Sequence, residues 1–154
     1  MRLISDSPEK TLQIGKKLAE NLEKNDIICL FGELGSGKTA LTQGIATGLG
    51  IKKDLVISPS FVIIRKYTGR MLSLNHFDLY RLRKTDDILA LGYEEYFYDE
   101  AVTVVEWAER MKGLLPKEYL KIEFFIKGDT QRNLKLTAFG RRYQALLSRM
   151  HKSL

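Results

Sequence analysis

Wholly apolar runs alternate with amphipathic segments along the chain, the pattern of a sheet with helices packed on it. Ser7-Pro8-Glu9 reads as a helix cap, a proline at the first helical position and an acid in the first turn, opening a helix predicted to reach about Lys24. Leu12, Gly15, Leu18, Ala19 and Leu22 recur at three- and four-residue steps and mark its buried face. Asn25-Asp26 then turns the chain into Ile27-Ile28-Cys29-Leu30-Phe31, apolar at every position and so predicted as the first strand of the sheet, central and parallel. A second helix, from Lys38 to about Leu49, shows Leu41, Ile45 and Leu49 on one face and closes at Gly48-Leu49-Gly50.

Residues 62–67 and 71–77 read as a hairpin around Thr68-Gly69-Arg70. Thr85-Asp86-Asp87 caps a helical segment through Ile88, Leu89 and Leu91, Gly92 breaks it, and residues 93–98 offer another turn. Residues 101–105 form another wholly apolar strand, and Leu114-Leu115-Pro116 closes a short helix. Residues 119–126 and 133–139 make an antiparallel pair joined through Gly128-Asp129, and residues 141–151 a terminal helix. The expectation is a single α/β domain over residues 1–154, with three layers and a mostly parallel central sheet extended by an antiparallel hairpin.

Composition narrows the class. Hydrophobic content of 44% and charged content of 29% are ordinary for a folded soluble protein and argue against disorder or a membrane span. The opening Met1-Arg2-Leu3-Ile4-Ser5-Asp6 lacks the apolar core of a secretory signal, so cytoplasm is the expected compartment. Cys29, the single cysteine, excludes an internal disulfide and reads as a buried small hydrophobe. The net charge of +6 would suit an anionic partner such as RNA, but Lys52-Lys53, Arg81/Arg83/Lys84 and the tail with Arg141, Arg142, Arg149, His151 and Lys152 carry no interleaved aromatics and read as solvated surface.

One stretch carries chemistry. Gly32-Glu33-Leu34-Gly35-Ser36-Gly37-Lys38-Thr39 matches G-x-x-x-x-G-K-[ST] at every specified position, between an apolar strand and a helix as the motif requires. The glycines let backbone N–H groups turn onto a phosphate, helped by the positive end of the following helix. Lys38 would reach the terminal phosphates and the Thr39 hydroxyl would join Mg²⁺, so a P-loop NTPase fold is expected. Such a site also needs an acid at a neighbouring strand end. Asp78 closes the run Asn75-His76-Phe77 and Glu106 closes residues 102–105; both would emerge where open α/β sheets place ligands. His76 reads as a packed histidine, and Trp107 suits either a stacking surface or a core aromatic. Ser58-Pro59-Ser60-Phe61 would be a switch turn whose hydroxyls sense the γ-phosphate or the metal, or else an ordinary turn. No N-K-x-D segment for reading guanine is present, which favours adenine or weak base discrimination.

Residues 32–39, then Ser58-Pro59-Ser60-Phe61, His76-Phe77-Asp78-Leu79-Tyr80-Arg81-Leu82 and Val105-Glu106-Trp107, in that order, resemble the bacterial TsaE (YjeE) family over most of the chain. That resemblance implies a small P-loop ATPase acting with the TsaB and TsaD proteins in making threonylcarbamoyladenosine at position 37 of tRNAs, with the carbamoyl transfer done by TsaD and tRNA met only indirectly or weakly. It makes Lys38 the phosphate contact and Thr39, Asp78 and Glu106 the metal and water-orienting set, with Glu33, Leu34, Gly35, Ser36 and Gly37 as the rest of the cradle. It further points to Thr11 near the base and Arg132 near the phosphates. At the third place of the switch turn the family usually has threonine; Ser60 keeps the hydroxyl and loses a methyl. Two alternatives stay open on the residues alone: a small-molecule or nucleoside kinase, with Arg65, Lys66, Arg81 and Arg83 as the only nearby lid cations, or a nucleotide-gated binding module.

Overall fold

A computed structural model describes residues 1–57 and 62–153. The strands are β1 (Arg2–Ser5), β2 (Ile27–Phe31), β3 (Ile64–Tyr67), β4 (Leu74–Asp78), β5 (Val102–Glu106), β6 (Tyr119–Ile126) and β7 (Arg132–Phe139). The helices are α1 (Pro8–Ala19), α2 (Lys38–Gly48), α3 (Thr85–Ala90), α4 (Tyr93–Phe97) and α5 (Arg141–Ser153), with short 3₁₀ turns at Lys53–Leu55 and Ala108–Leu114. One seven-stranded sheet runs β1-β7-β6-β2-β5-β4-β3. Its middle strands β6, β2, β5 and β4 are parallel, while β3 pairs antiparallel on β4, and β7 and β1 continue antiparallel beyond β6. The centre is therefore mostly parallel as expected, but antiparallel strands flank it on both sides.

The apolar strands are apolar throughout because both faces are covered. Ile28 and Leu30 of β2, with Val102 and Val104 of β5, pack against Leu18, Leu41, Ile45 and Leu146 of α1, α2 and α5. Ile27, Cys29, Phe77 and Val105 point the other way, onto Ile88, Phe97 and Met111. The period-two alternation of strand side chains thus builds two cores and three layers. Among the described residues no helix is long and apolar enough to cross a membrane.

The pattern missed β1 and overran α1. Arg2–Ser5 is too short to announce itself; it becomes a strand by pairing with β7, where the Met1 amino group donates to the Leu136 carbonyl and the Leu136 N–H returns to the Met1 carbonyl. The strand at residues 27–31 is accordingly the second in chain order. Helix α1 stops at Ala19 rather than near Lys24, because Asp26 accepts from the Glu23 N–H and Asn25, with φ 69°, gives its N–H to the Ala101 carbonyl, reversing the chain. Ile14 takes the buried place expected of Leu12, which is half-buried. Thr85 is the first residue of α3 rather than its cap.

Helices α1 and α2 meet backbone to backbone. A Cβ at Gly44 would come within 2.1 Å of the Leu12 carbonyl oxygen, and one at Gly15 within 2.4 Å of that of Leu41. Gly44→Ala is therefore expected to destabilise the fold by about 1–3 kcal/mol despite alanine's better helix propensity, read as a lower urea midpoint. An unchanged midpoint would mean that the helices part without cost.

Helix α5 is fastened at the opposite end of the sheet. Arg142 grips Asp26 through Nε at 3.0 Å and Nη2 at 2.6 Å, so this member of the basic tail is not solvated surface. The Tyr143 hydroxyl accepts the Ile27 N–H at 2.7 Å, and burial pushes its ionisation up to about 12. The unfolded chain loses that proton near pH 10, so the stability that Tyr143 contributes is complete below pH 10 and falls as pH rises toward 12. Thermal melts across that window should show a shallower alkaline decline for Tyr143→Phe than for the native chain.

Candidate functional site

A cavity of about 690 Å³ opens at the carboxyl ends of the parallel strands, bounded by residues 34–40, by Asp78, Tyr80 and Arg81, by Glu106 and Trp107, and by Ser7, Pro8, Thr11, Asp129, Thr130 and Arg132. It is the crevice where open α/β sheets bind ligands. The loop from β2 to α2 forms its floor. Gly37, with φ 104°, occupies the cap position of α2 in a left-handed conformation that a side chain would strain, and this aims the first turn of the helix at the cavity.

Lys38 folds over the loop. Its Nζ donates to the Gly32 carbonyl at 2.6 Å, the Glu33 carbonyl at 2.8 Å and Ser36 Oγ at 3.3 Å, and lies 4.2 Å from the centre of the Trp107 ring. Burial lowers its proton affinity, and the carboxylates of Glu109, Glu106, Asp78 and Glu33 work against that shift. The Trp107 ring is partly buried against the second core, packs on Tyr80 with centroids 4.9 Å apart and lines the cavity. Its backbone is left-handed, φ 59°, and turns the chain sharply after Glu106.

The strand-end acids come together by register. Asp78 of β4 is paired with Glu106 of β5, and both side chains stand on the α2 face of the sheet with the alternating Leu74 and Val104. Glu106 is 2% exposed. Its Oε2 accepts from Thr39 Oγ1 at 3.0 Å, and its Oε1 lies 3.2 Å from Thr42 Oγ1 and 2.8 Å from His76 Nε2. Asp78 Oδ1 accepts the Tyr80 N–H at 3.0 Å, and the Asp78 N–H bonds the carbonyl of Ile63.

Of the residues singled out from sequence, Lys38, Thr39, Asp78, Glu106, Leu34, Gly35, Ser36, Gly37, Thr11 and Arg132 all border this cavity. Glu33 does not border it; it contributes its carbonyl to Lys38. The Thr11 hydroxyl is 2.7 Å from that of Ser5. Arg132 spans from the Gly128 carbonyl at 2.8 Å to that of Gly35 at 3.2 Å, clasping the β6–β7 turn to the loop. Ser60 and its turn lie outside the described residues.

His76, which reads from sequence as a packed histidine, and Thr42, which the sequence does not single out, both touch Glu106. Both had a signal: His76 stands two residues before Asp78 on the same strand face, and Thr42 one helical turn beyond Thr39. Glu109 lay hidden in an irregular turn, where no periodicity applies.

The donor set suits a hard cation. The Thr39 hydroxyl and the Glu106 and Asp78 carboxylates are oxygen groups at one cavity, few in number, a set that Mg²⁺ would accept while keeping most of its waters. Among the described residues no group of three acids, histidines or cysteines forms a metal cage.

An α/β protein with this loop and these strand-end acids has clear relatives. The sequence profile of the family described as "Threonylcarbamoyl adenosine biosynthesis protein TsaE" matches residues 5–134. The tRNA threonylcarbamoyladenosine biosynthesis protein TsaE of Bacillus subtilis is 40% identical over 146 residues, 95% of this chain and 90% of the relative. That of Treponema pallidum is 36% identical over 87% of this chain and 98% of its own length. The crystal structure of Bacillus subtilis YdiB superposes with a TM-score of 0.86 at 36% identity, covering 99% of this chain and 95% of that one. The chain belongs to the TsaE family.

Trp107 is the only tryptophan, so the Lys38 contact is open to direct measurement. Lys38→Met should shift the emission intensity or maximum of the folded protein by removing a cation from the ring face, while Lys16→Met should leave the spectrum unchanged. Identical spectra for all three proteins would contradict the geometry.

Proposed function

We propose that the chain is the ATP-binding and ATP-hydrolysing component of the machinery that makes threonylcarbamoyladenosine at position 37 of tRNA, a P-loop NTPase acting with TsaB and TsaD. The observation that carries this reading is the Thr39–Glu106 hydrogen bond of 3.0 Å, which joins the phosphate-loop motif to a strand-end acid inside one cavity. Mg²⁺, when bound, would supply charge neutralisation for the phosphates. Lys38 and the N–H groups at the start of α2 hold the phosphates and stabilise charge on the transferring group. The Thr39 hydroxyl and the Asp78 and Glu106 carboxylates would hold the metal, and one of the two acids would align the attacking water. The exposed Leu34 at the loop tip and the cavity mouth leave room for a partner to complete the site and raise a slow intrinsic rate.

Purified protein should release phosphate from ATP only with Mg²⁺, and Lys38→Ala should lower kcat/KM by about 10²–10³-fold. TsaB and TsaD together should stimulate the hydrolysis, and tRNA modification in the reconstituted mixture should need all three proteins. Normal turnover by Lys38→Ala would overturn the site assignment. Phosphate transferred to a nucleoside instead of released would overturn the hydrolase, and absence of stimulation in both assays would overturn the partnership.

A further inference from the structure

We propose that His76 is a positioning residue that sets the orientation of the Glu106 carboxylate; the inference rests on the Mg²⁺-nucleotide reading of the cavity given above. The ring is fully buried, and its Nε2 lies 2.8 Å from Glu106 Oε1. A carboxylate only accepts, so Nε2 carries the hydrogen, an assignment made from the bonding partners. Among the described residues Nδ1 has no hydrogen-bond partner, so there the polar chemistry of the ring is concentrated on this one contact.

Among the described residues two donors reach Oε1, and distance decides between them. Thr42 has one hydroxyl hydrogen and two acceptors, the Lys38 carbonyl at 2.9 Å and Glu106 Oε1 at 3.2 Å. The nearer carbonyl, one helical turn back, takes it. His76 is therefore the firm donor to Oε1, while Thr39 holds Oε2 from the loop side. The two bonds grip the carboxylate from opposite elements, β4 and α2, and keep Oε2 against the hydroxyl assigned to Mg²⁺. Without His76, Oε1 keeps only the weaker, shared Thr42 contact and the carboxylate is free to roll. This is the work that outer-sphere partners do for metal-site ligands, whose loss costs on the order of 10–100-fold in metal affinity or activity.

The test compares His76→Leu, which removes the donor, with His76→Gln, whose longer amide can place an N–H where Nε2 stands, in the full-length chain. The readouts are steady-state ATP turnover, thermal melts, and Trp107 fluorescence titrations with ATP in the presence and absence of Mg²⁺. His76→Leu should lower kcat by about 10–100-fold and raise the Mg²⁺ concentration for the half-maximal fluorescence response about tenfold, with Mg²⁺-free ATP affinity unchanged within about twofold. His76→Gln should recover most of both losses. Wild-type behaviour of His76→Leu, equal impairment of Leu and Gln variants, or an equal loss of Mg²⁺-free binding would overturn the proposal. If the Leu variant fails to melt cooperatively, His76→Asn, whose amide is too short to reach Oε1, takes its place against Gln with the same outcomes. A native chain that binds no ATP, or turns it over equally with Lys38→Ala, overturns the nucleotide reading and this proposal together, a result distinct from failure of the His76 comparison alone.

Discussion

A carboxylate taken almost wholly out of water must find hydrogen-bond donors or give up its charge, and Glu106 is such a group at the centre of the site. Its donors come from separate parts of the chain: Thr39 from the first turn of α2 and His76 from β4. Satisfying one charge therefore ties the start of α2, the end of β5 and the neighbouring strand to a common point. The glycine-rich loop is located by that tie as much as by its own conformation. The parallel register of β4 on β5 is what makes it possible, since it sets Asp78 level with Glu106 and puts His76 one pleat below.

Much of this was legible in the sequence, for particular reasons. The loop motif fixes backbone conformation and side-chain chemistry over a short stretch, and the apolar runs at residues 27–31 and 101–105 have one explanation in a sheet covered on both faces. Asp78 and Glu106 were readable because each ends such a strand. What escaped depends on contacts distant in sequence. Arg2–Ser5 has little strand character until β7 lies beside it, and α1 ends at Ala19, ahead of the turn in which Asp26 folds back on Glu23, rather than at a helix-breaking residue. His76 looked like packing because a lone histidine in an apolar run carries no information about the residue standing across the sheet from it. Arg142 belonged to a basic tail by composition and to Asp26 by geometry.

Lys38 illustrates how the loop stores its own ligand-like contacts. An ammonium has three hydrogens, and here three protein oxygens surround it within 3.3 Å. Contact with a phosphate, as proposed, would exchange bonds instead of adding them, and the gain would come from the difference between a carbonyl dipole and a full negative charge. The same logic applies to Arg132, whose guanidinium is engaged with carbonyls on the loop and on the β6–β7 turn.

The glycine seam between α1 and α2 has a mechanical consequence for the cavity. Where two helix backbones touch without intervening side chains, there is no layer of rotamers to absorb sliding, and the pair moves as one stiff piece. That piece carries Thr11 on one side and the loop on the other, so this half of the cavity behaves as an anvil. Around the rest of the cavity Tyr80 packs on Trp107, and Arg132 ties the turn bearing Asp129 and Thr130 to the loop.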